Sequence, residues 1–143
     1  MDETPFGRPA EKLVLMVDDD ESLLDLMEHV VKKEGFRTER AEDGPEALRK
    51  SQALNPDVIV LDMMLPGLGG YEVMRQLQAA GNGDIPIIVV TGRQMDGAAV
   101  NLIKQEPNVK EFLIKPVRPA VLTAGLHRIL HTQPPAHEGG TKA

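Results

Sequence analysis

The chain has 143 residues, the size of one ordinary domain, and its 22 acidic and 16 basic residues give a formal net charge of −6. An acidic chain with only 3% aromatic residues is poorly suited to direct nucleic-acid binding, which needs cations for phosphates and rings for base stacking. The absence of cysteine excludes disulfides and thiolate metal sites, and the apolar runs are far shorter than the ~20 residues of a membrane span.

Short apolar runs alternate along the chain with stretches of helical periodicity. The uninterrupted apolar run Leu13–Val17 predicts a buried strand. After it, apolar residues recur every three or four positions, which predicts a helix capped by Ser22 and ended by Gly35. In chain order the predicted elements are strand 13–17, helix 22–34, strand 36–41, helix 45–54, strand 58–61, helix 71–80, strand 87–90, helix 98–105, strand 112–114 and helix 118–131.

Five strands alternating with five helices predict an α/β fold with a parallel sheet, because parallel strands need crossover connections. Strand sequences that are apolar at every position are typical of a sheet covered on both faces. We expect one domain over residues 11–132, with a flexible arm over 1–10 and a flexible tail or linker over 133–143. The acidic start and the composition predict a soluble, cytoplasmic protein that makes no membrane contact.

Polar residues follow the apolar runs at the predicted strand ends. In open α/β sheets the functional crevice lies outside the carboxyl ends of the strands. The residues expected there are Asp18, Asp19, Asp20, Asp62, Thr91, Gly92 and Lys115. Adjacent carboxylates repel one another unless a cation neutralises them, and oxygen ligands without cysteine favour Mg²⁺ over zinc. A carboxylate, Mg²⁺, a hydroxyl and an ammonium group together meet the requirements of phosphoryl transfer.

Four motifs occur in order at these strand ends: LMVDDD, VIVLDMMLPG, IPIIVVTG and FLIKP. With them the chain resembles the receiver domains of two-component response regulators, the CheY-like family, from residue 13 to residue 131. The resemblance implies a flavodoxin-like, doubly wound (βα)5 fold with a five-stranded parallel sheet in the order 2-1-3-4-5. It also implies a signalling domain, not a turnover enzyme, that takes a phosphoryl group from a sensor histidine kinase or phosphotransfer protein and signals to a protein partner.

The acidic residues take definite roles under this resemblance. Asp62 is expected to be the phosphoacceptor and to form an acyl phosphate. Asp19 and Asp62 are expected to ligate Mg²⁺ directly. The backbone carbonyl of Met64 would be a third direct ligand, and Asp18 would hold the ion through water. With Lys115 and Mg²⁺ present, the three carboxylates are neutralised before phosphorylation.

The remaining site residues are expected to bind the phosphoryl group and report its arrival. Lys115 would pair with Asp62 and later with a phosphoryl oxygen, while the Thr91 hydroxyl and the backbone amides of Met63 and Gly92 would donate hydrogen bonds to it. Phe112 matches the switch aromatic of the family, which turns inward when the threonine moves; the alternative is that Phe112 is simply a packing residue. Residues 100–111 depart from the family pattern in length and composition.

Two other functions are compatible with part of the sequence. A haloacid-dehalogenase-type phosphotransferase or phosphatase would use Asp18 and Asp20. It leaves the motif around Asp62 unexplained, and no aspartate after Asp96 supplies the further acidic pair which that family needs. A degenerate receiver would act only as a binding module without phosphorylation, although every expected site residue is present.

Overall fold

Five parallel strands joined by helices make up the computed structural model, which describes residues 6–92 and 95–135. In chain order the elements are β1 (Leu13–Val17), α1 (Glu21–Lys33), β2 (Arg37–Ala41), α2 (Gly44–Leu54), β3 (Val58–Asp62), α3 (Gly70–Ala79), β4 (Ile87–Thr91), α4 (Gly97–Lys104), β5 (Val109–Ile114) and α5 (Pro119–Leu130). The strands lie in the order β2-β1-β3-β4-β5. The predicted α/β class and the strand order 2-1-3-4-5 are therefore confirmed.

The helices cover the two faces of the sheet with separate apolar clusters. On one face α1 and α5 pack against the sheet through residues such as Leu24 and Leu126. On the other face α2, α3 and α4 do the same through residues such as Leu77 and Ile103. Strands β1, β3 and β4 are buried along their whole length, which is why their sequences are apolar except at the last residue of β3, Asp62, and the last residue of β4, Thr91.

Helix α1 begins at Glu21 and is capped by Asp20, so the prediction that Ser22 caps it is wrong. Asp20 Oδ1 accepts hydrogen bonds from the backbone N–H groups of Ser22 (3.0 Å) and Leu23 (3.2 Å). A carboxylate suits this place because the helix dipole favours negative charge at the N-terminus. The cap fixes the direction in which the chain leaves β1.

The atypical segment 100–111 folds into the end of α4, a turn and a longer β5 than predicted. β5 starts at Val109, three residues before the predicted start, and the pairing with β4 skips Lys110 as a β-bulge. The turn is held by buried Asn108, whose side-chain Nδ2 donates to the Ile85 carbonyl at 3.1 Å. The additional length is thus absorbed at the end of the sheet opposite to the predicted site.

Segments near both ends of the described chain meet on one side of the domain. Gly7 forms a parallel bridge with Thr132, and its N–H donates to the His131 carbonyl at 2.7 Å. Parts of the predicted arm (1–5) and tail (136–143) lie outside the described residues, and the domain boundaries stay a prediction. Within residues 6–92 and 95–135, no helix has the length and apolar character that crossing a membrane requires.

Candidate functional site

Four strand ends bring residues distant in sequence to one edge of the sheet. β1 and β3 are neighbours at its centre, which places Asp18 beside Asp62. β4 follows and ends in Thr91, and β5 lies next to β4 and leads into Lys115. Asp18 and Thr91 are 1% exposed and Asp62 is 2% exposed, although all three are polar. Buried polar groups need hydrogen-bond or ion-pair partners, so the contacts of these three side chains define the site.

Three carboxylates converge at this edge. One oxygen from each of Asp18, Asp19 and Asp62 lies within 4.8 Å of the other two, and Asp19 alone of the three is exposed. One oxygen of each buried carboxylate accepts a backbone hydrogen bond: Asp18 Oδ1 from the N–H of Asp20 (2.9 Å) and Asp62 Oδ1 from that of Met64 (3.0 Å). These bonds fix the carboxylates so that the second oxygen of each is left to face a cation.

Lys115 supplies one positive charge to these second oxygens. Its Nζ lies 3.1 Å from Asp18 Oδ2 and 3.3 Å from Asp62 Oδ2. Its backbone N–H donates to the Thr91 carbonyl at 2.8 Å, which continues the sheet pairing past the end of β5. The pairing of β4 with the residues that follow β5 therefore places Lys115 next to the three carboxylates.

The pKa values around Lys115 show that the cluster is short of positive charge. Burial lowers the pKa of Lys115, but its hydrogen bond to Asp18 and the charges of Asp18 and Asp62 outweigh burial and raise it above the ordinary value. Burial is also the main reason that the pKa of Asp18 is raised, and the charge of Asp62 adds to it against the bonds to Asp20 and Lys115. A further cation at this place would be electrostatically favoured.

The loop after β3 presents a different amide to the site from the one predicted. The N–H of Met63 donates to the Val90 carbonyl at 3.0 Å and is therefore bonded within the sheet. The next amide, that of Met64, points to the Asp62 carboxylate. This arrangement corrects the expectation that the Met63 amide faces a bound phosphoryl group. The Met64 side chain is 57% exposed beside the site.

Gly70 holds this loop against the end of β3, a role that the sequence alone does not reveal. Its N–H donates to the Met63 carbonyl at 3.3 Å. A Cβ on Gly70 would lie 2.7 Å from the Asp62 carbonyl oxygen and from Met63 Cα, closer than real Cβ contacts allow. The run of glycines at this point of the sequence signals a turn, but it does not reveal which glycine permits a close approach of backbone to backbone.

The Thr91 hydroxyl donates to the sulfur of Met95, with 3.1 Å between Oγ1 and Sδ. Met95 is half-buried, packs on the apolar cluster beneath α3 and α4, and was not singled out by the sequence as a partner of Thr91. Gly92, the other predicted phosphoryl contact on this side, is half-buried next to Thr91.

Phe112 lies on β5, away from the carboxylates, and is half-buried. Its ring packs against the same apolar cluster as Met95. The Nζ of Lys104 lies 5.2 Å from the centre of the ring, a cation–π arrangement that joins α4 to β5. The ring thus contacts both the core and the outer surface of this edge.

Comparison with known proteins identifies the family to which this sequence is similar. The response regulator receiver domain family matches residues 14–127. The chain is 35% identical over 117 residues to the sensory transduction protein RegX3 of Mycolicibacterium smegmatis, covering 82% of this chain and 50% of RegX3. It is 37% identical over 111 residues to the DNA-binding response regulator MtrA of Mycolicibacterium paratuberculosis, covering 78% of this chain and 48% of MtrA. The chain spans about half the length of these relatives.

A solved structure shares the fold. The receiver domain of a sensor histidine kinase from Pseudomonas aeruginosa, described with a magnesium ion coordinated in its active site cleft, aligns with a TM-score of 0.74 and 29% sequence identity. The alignment covers 85% of this chain and 98% of that domain. Family match, relatives and fold agree, and the chain belongs to the response regulator receiver domain family.

Proposed function

We propose that this receiver domain takes a phosphoryl group onto Asp62 from a histidine kinase or phosphotransfer protein and signals by a conformational change to a protein partner. The observation that carries the proposal is the setting of Asp62. Its carboxylate is buried at the carboxyl end of the central strand β3, within reach of the Lys115 ammonium group and two further carboxylates. The Met64 amide and the Lys115 ammonium group fix the orientation of this carboxylate.

The transfer step uses groups that the site holds in place. One Asp62 oxygen forms a bond to phosphorus as the bond from phosphorus to the donor imidazole nitrogen breaks, and the imidazole keeps the electron pair of that bond. Asp62 Oδ1 is fixed by the Met64 amide, so Oδ2, which pairs with Lys115, is the oxygen that attacks phosphorus in this proposal. Lys115 then pairs with a phosphoryl oxygen and stabilises the charge that accumulates there.

The same site fits Mg²⁺. Asp18 Oδ2 is buried and, apart from its ion pair with Lys115, accepts no hydrogen bond. Three carboxylates and one ammonium group leave two negative charges, which one divalent ion neutralises. In our proposal Asp19, Asp62 and the Met64 carbonyl ligate the ion and Asp18 holds it through water. When bound, Mg²⁺ neutralises phosphoryl charge during transfer.

Neutral hydrogen-bond donors would also hold the phosphoryl group in this proposal. The Thr91 hydroxyl and the amide of Gly92 contact the phosphoryl group, and the Met64 amide takes the part first expected of Met63. Thr91 gives up a thioether acceptor for a charged oxygen, which is a stronger hydrogen bond. The exchange of partners by Thr91 begins the conformational change.

The surface that reports this change is apolar. Leu102 on α4, Ile114 on β5 and Val121 on α5 are 49%, 54% and 41% exposed, and they lie on elements near Phe112. Exposed apolar side chains on adjacent elements favour contact with a protein partner. Inward rotation of Phe112 would alter this surface and so recruit or release the partner.

The domain acts as a signalling element and not as a turnover enzyme in this proposal. Its relatives are named as a sensory transduction protein, RegX3, and a DNA-binding response regulator, MtrA, and each relative is about twice as long as the matched part. We propose no direct contact of the present residues with nucleic acid, because their net charge is −6. A cytoplasmic location belongs to the same proposal, and the absence of cysteine is compatible with a reducing compartment.

Incubation with acetyl phosphate and Mg²⁺, followed by intact mass measurement, tests the proposal. We expect a gain of one phosphoryl group that Asp62→Asn abolishes and that Asp84→Asn, at an exposed position in the turn before β4, leaves unchanged. A gain that survives in Asp62→Asn would favour the dehalogenase-type alternative. The dehalogenase-type alternative needs the Asp20 carboxylate for catalysis, but that carboxylate caps α1 in the structure, which disfavours this alternative. No gain in any variant would indicate a degenerate receiver.

A further inference from the structure

The hydrogen-bond partner of Thr91 is unusual for a buried hydroxyl. Thr91 is 1% exposed, and its Oγ1 donates to the thioether sulfur of Met95 at 3.1 Å. A thioether is a weak acceptor, whereas buried hydroxyl groups ordinarily find an oxygen. The backbone of Thr91 is fixed by pairing with β5, where its carbonyl accepts from Lys115 N–H at 2.8 Å. The side chain alone is therefore free to change partner.

Met95 is held in place by its surroundings. It packs against the apolar cluster on the α3 and α4 face of the sheet. It also immediately precedes Asp96, which caps α4 by accepting a hydrogen bond from the Ala99 N–H at 2.8 Å. A capped helix on one side and a packed cluster on the other keep the sulfur at the Thr91 hydroxyl, so the chemical state of the sulfur decides how strongly Thr91 is held.

We propose that Met95 is a positioning residue for Thr91 and a reversible oxidation site: its sulfoxide would retain the Thr91 hydroxyl and weaken binding of the phosphoryl group. The inference rests on the proposed function, in which Thr91 leaves Met95 for the phosphoryl group. With the thioether, leaving costs little. With the sulfoxide, Thr91 must give up a hydrogen bond to a strongly polarised oxygen before it can contact the phosphoryl group. Phosphoryl binding is therefore weakened by the difference in strength between the sulfoxide and thioether hydrogen bonds.

The oxidation step is a two-electron oxygen transfer from hydrogen peroxide. The Sδ lone pair attacks one peroxide oxygen, the O–O bond breaks, an S–O bond forms and water leaves. The sulfur is oxidised and the peroxide is reduced. Methionine sulfoxide reductases return the sulfoxide to the thioether, which makes the change reversible.

Accessibility favours oxidation at two methionines among the described residues. Met16, Met27, Met63 and Met74 are at most 6% exposed. Met64, 57% exposed, and Met95, half-buried, are accessible, so oxidation of Met64 is the competing event that the experiment must remove. The replacement of Met64 by Leu removes it, with each variant compared to its own untreated sample.

The experiment measures affinity for beryllofluoride, a phosphoryl mimic, in the presence of Mg²⁺ before and after hydrogen peroxide, with peptide mass spectrometry to locate the sulfoxide. In Met64→Leu we expect sulfoxide at Met95 and a roughly tenfold loss of affinity, equal to about 1.4 kcal/mol, that methionine sulfoxide reductases reverse. In Met64→Leu with Met95→Leu, peroxide should leave the affinity unchanged. In Met64→Leu with Thr91→Val, Met95 should oxidise with no further loss, because the effect acts through the hydroxyl.

Three results would overturn the inference while leaving the proposed function intact. They are a thioether at Met95 that resists peroxide, unchanged beryllofluoride affinity once Met95 is oxidised, and an equal loss of affinity in the Thr91→Val background. The last result would mean that oxidation perturbs the fold and not the Thr91 contact. Untreated protein that fails to bind beryllofluoride would overturn the proposed function itself, and this inference with it.

Discussion

Lys115 Nζ lies 3.3 Å from Asp62 Oδ2, although the two residues are 53 positions apart and follow strands that are not neighbours in the sheet. Strand β4 lies between them, so the lysine side chain reaches across its end. The ion pair joins the end of β3 to the residue that follows β5 at the acidic edge of the sheet. From this position Lys115 would pair with a phosphoryl oxygen in the proposed function.

Removal of the Lys115 charge should make the stability of the folded protein depend more strongly on Mg²⁺. We expect Lys115→Met to lower the free energy of unfolding without divalent cations by about 1 kcal/mol, a modest figure because the lysine side chain is 30% exposed. Mg²⁺ should then stabilise Lys115→Met more than the unsubstituted protein, because it supplies the missing charge. Urea unfolding in EDTA and in Mg²⁺ measures both effects. Lys115→Arg keeps the charge and serves as control; equal stabilisation by Mg²⁺ in all three proteins would contradict this prediction.

The raised pKa of Asp18 predicts how stability depends on pH. The pKa of Asp18 is higher in the folded protein than in the unfolded chain, where Asp18 has its ordinary pKa of 3.8. Ionisation of Asp18 therefore lowers the free energy of unfolding. The stability contributed by the protonated form is complete below pH 3.8 and is lost as pH rises through the raised pKa. Without Mg²⁺, we therefore expect Asp18→Asn to be more stable than the unsubstituted protein at pH 7.

The pH series supplies its own control. Below pH 3.8 the carboxylic acid and the amide are both neutral, so the difference between Asp18→Asn and the unsubstituted protein should approach zero. Thermal unfolding of both proteins, from below pH 3.8 to pH 7, measures this difference in stability. An Asp18→Asn variant less stable than the unsubstituted protein at pH 7 in EDTA would contradict the conclusion that the cluster is short of positive charge.

Gly70 should tolerate no side chain. A Cβ there would lie 2.7 Å from the Asp62 carbonyl oxygen, so Gly70→Ala must displace the end of β3. We expect a loss of about 1–3 kcal/mol in the free energy of unfolding and slower phosphorylation by acetyl phosphate. Gly97→Ala is the matched control: nothing lies within 4 Å of its Cβ, and at the start of α4 it should be neutral or stabilising. Equal effects of the two substitutions would exclude the close approach at Gly70 as the cause.

Phosphorylation should change the structure from Thr91 to Phe112. In the proposed function Thr91 would exchange the Met95 sulfur for a phosphoryl oxygen. The Phe112 ring would then move inward and lose its contact with Lys104. Hydrogen exchange with and without beryllofluoride measures this coupling. Altered protection is expected in both the loop after Asp62 and the segment from Thr91 to Phe112. A change confined to the Asp62 loop would refute the coupling and leave the phosphoacceptor chemistry intact.

The elements of the fold were predictable because their sequence signals are local. Apolar runs such as Leu13–Val17 identify the buried strands, and the polar residues that end them identify the edge where Asp62 and Lys115 meet. The strand order came from the family resemblance. The helix cap was not predictable, because Asp20 and Ser22 are both good caps and only the direction of the chain after β1 decides between them.

Backbone and loop geometry explain what the sequence did not reveal. Successive amides of a strand point to opposite sides, so whether Met63 or Met64 faces the carboxylate depends on how far the pairing of β3 continues. The bulge at Lys110 and the contact from Thr91 to Met95 likewise depend on neighbouring strands and turns. None of these three features can be predicted from the types or the spacing of the residues involved.

The most direct test of the central claim is to locate the phosphoryl group. Protein phosphorylated by acetyl phosphate with Mg²⁺ is reduced with borohydride, which converts an aspartyl phosphate to homoserine, and the site is read by tandem mass spectrometry. We predict homoserine at position 62 alone, since Asp62 is the buried carboxylate at the end of β3 that pairs with Lys115. Homoserine at position 18, 19 or 20 with Asp62 intact would contradict the account.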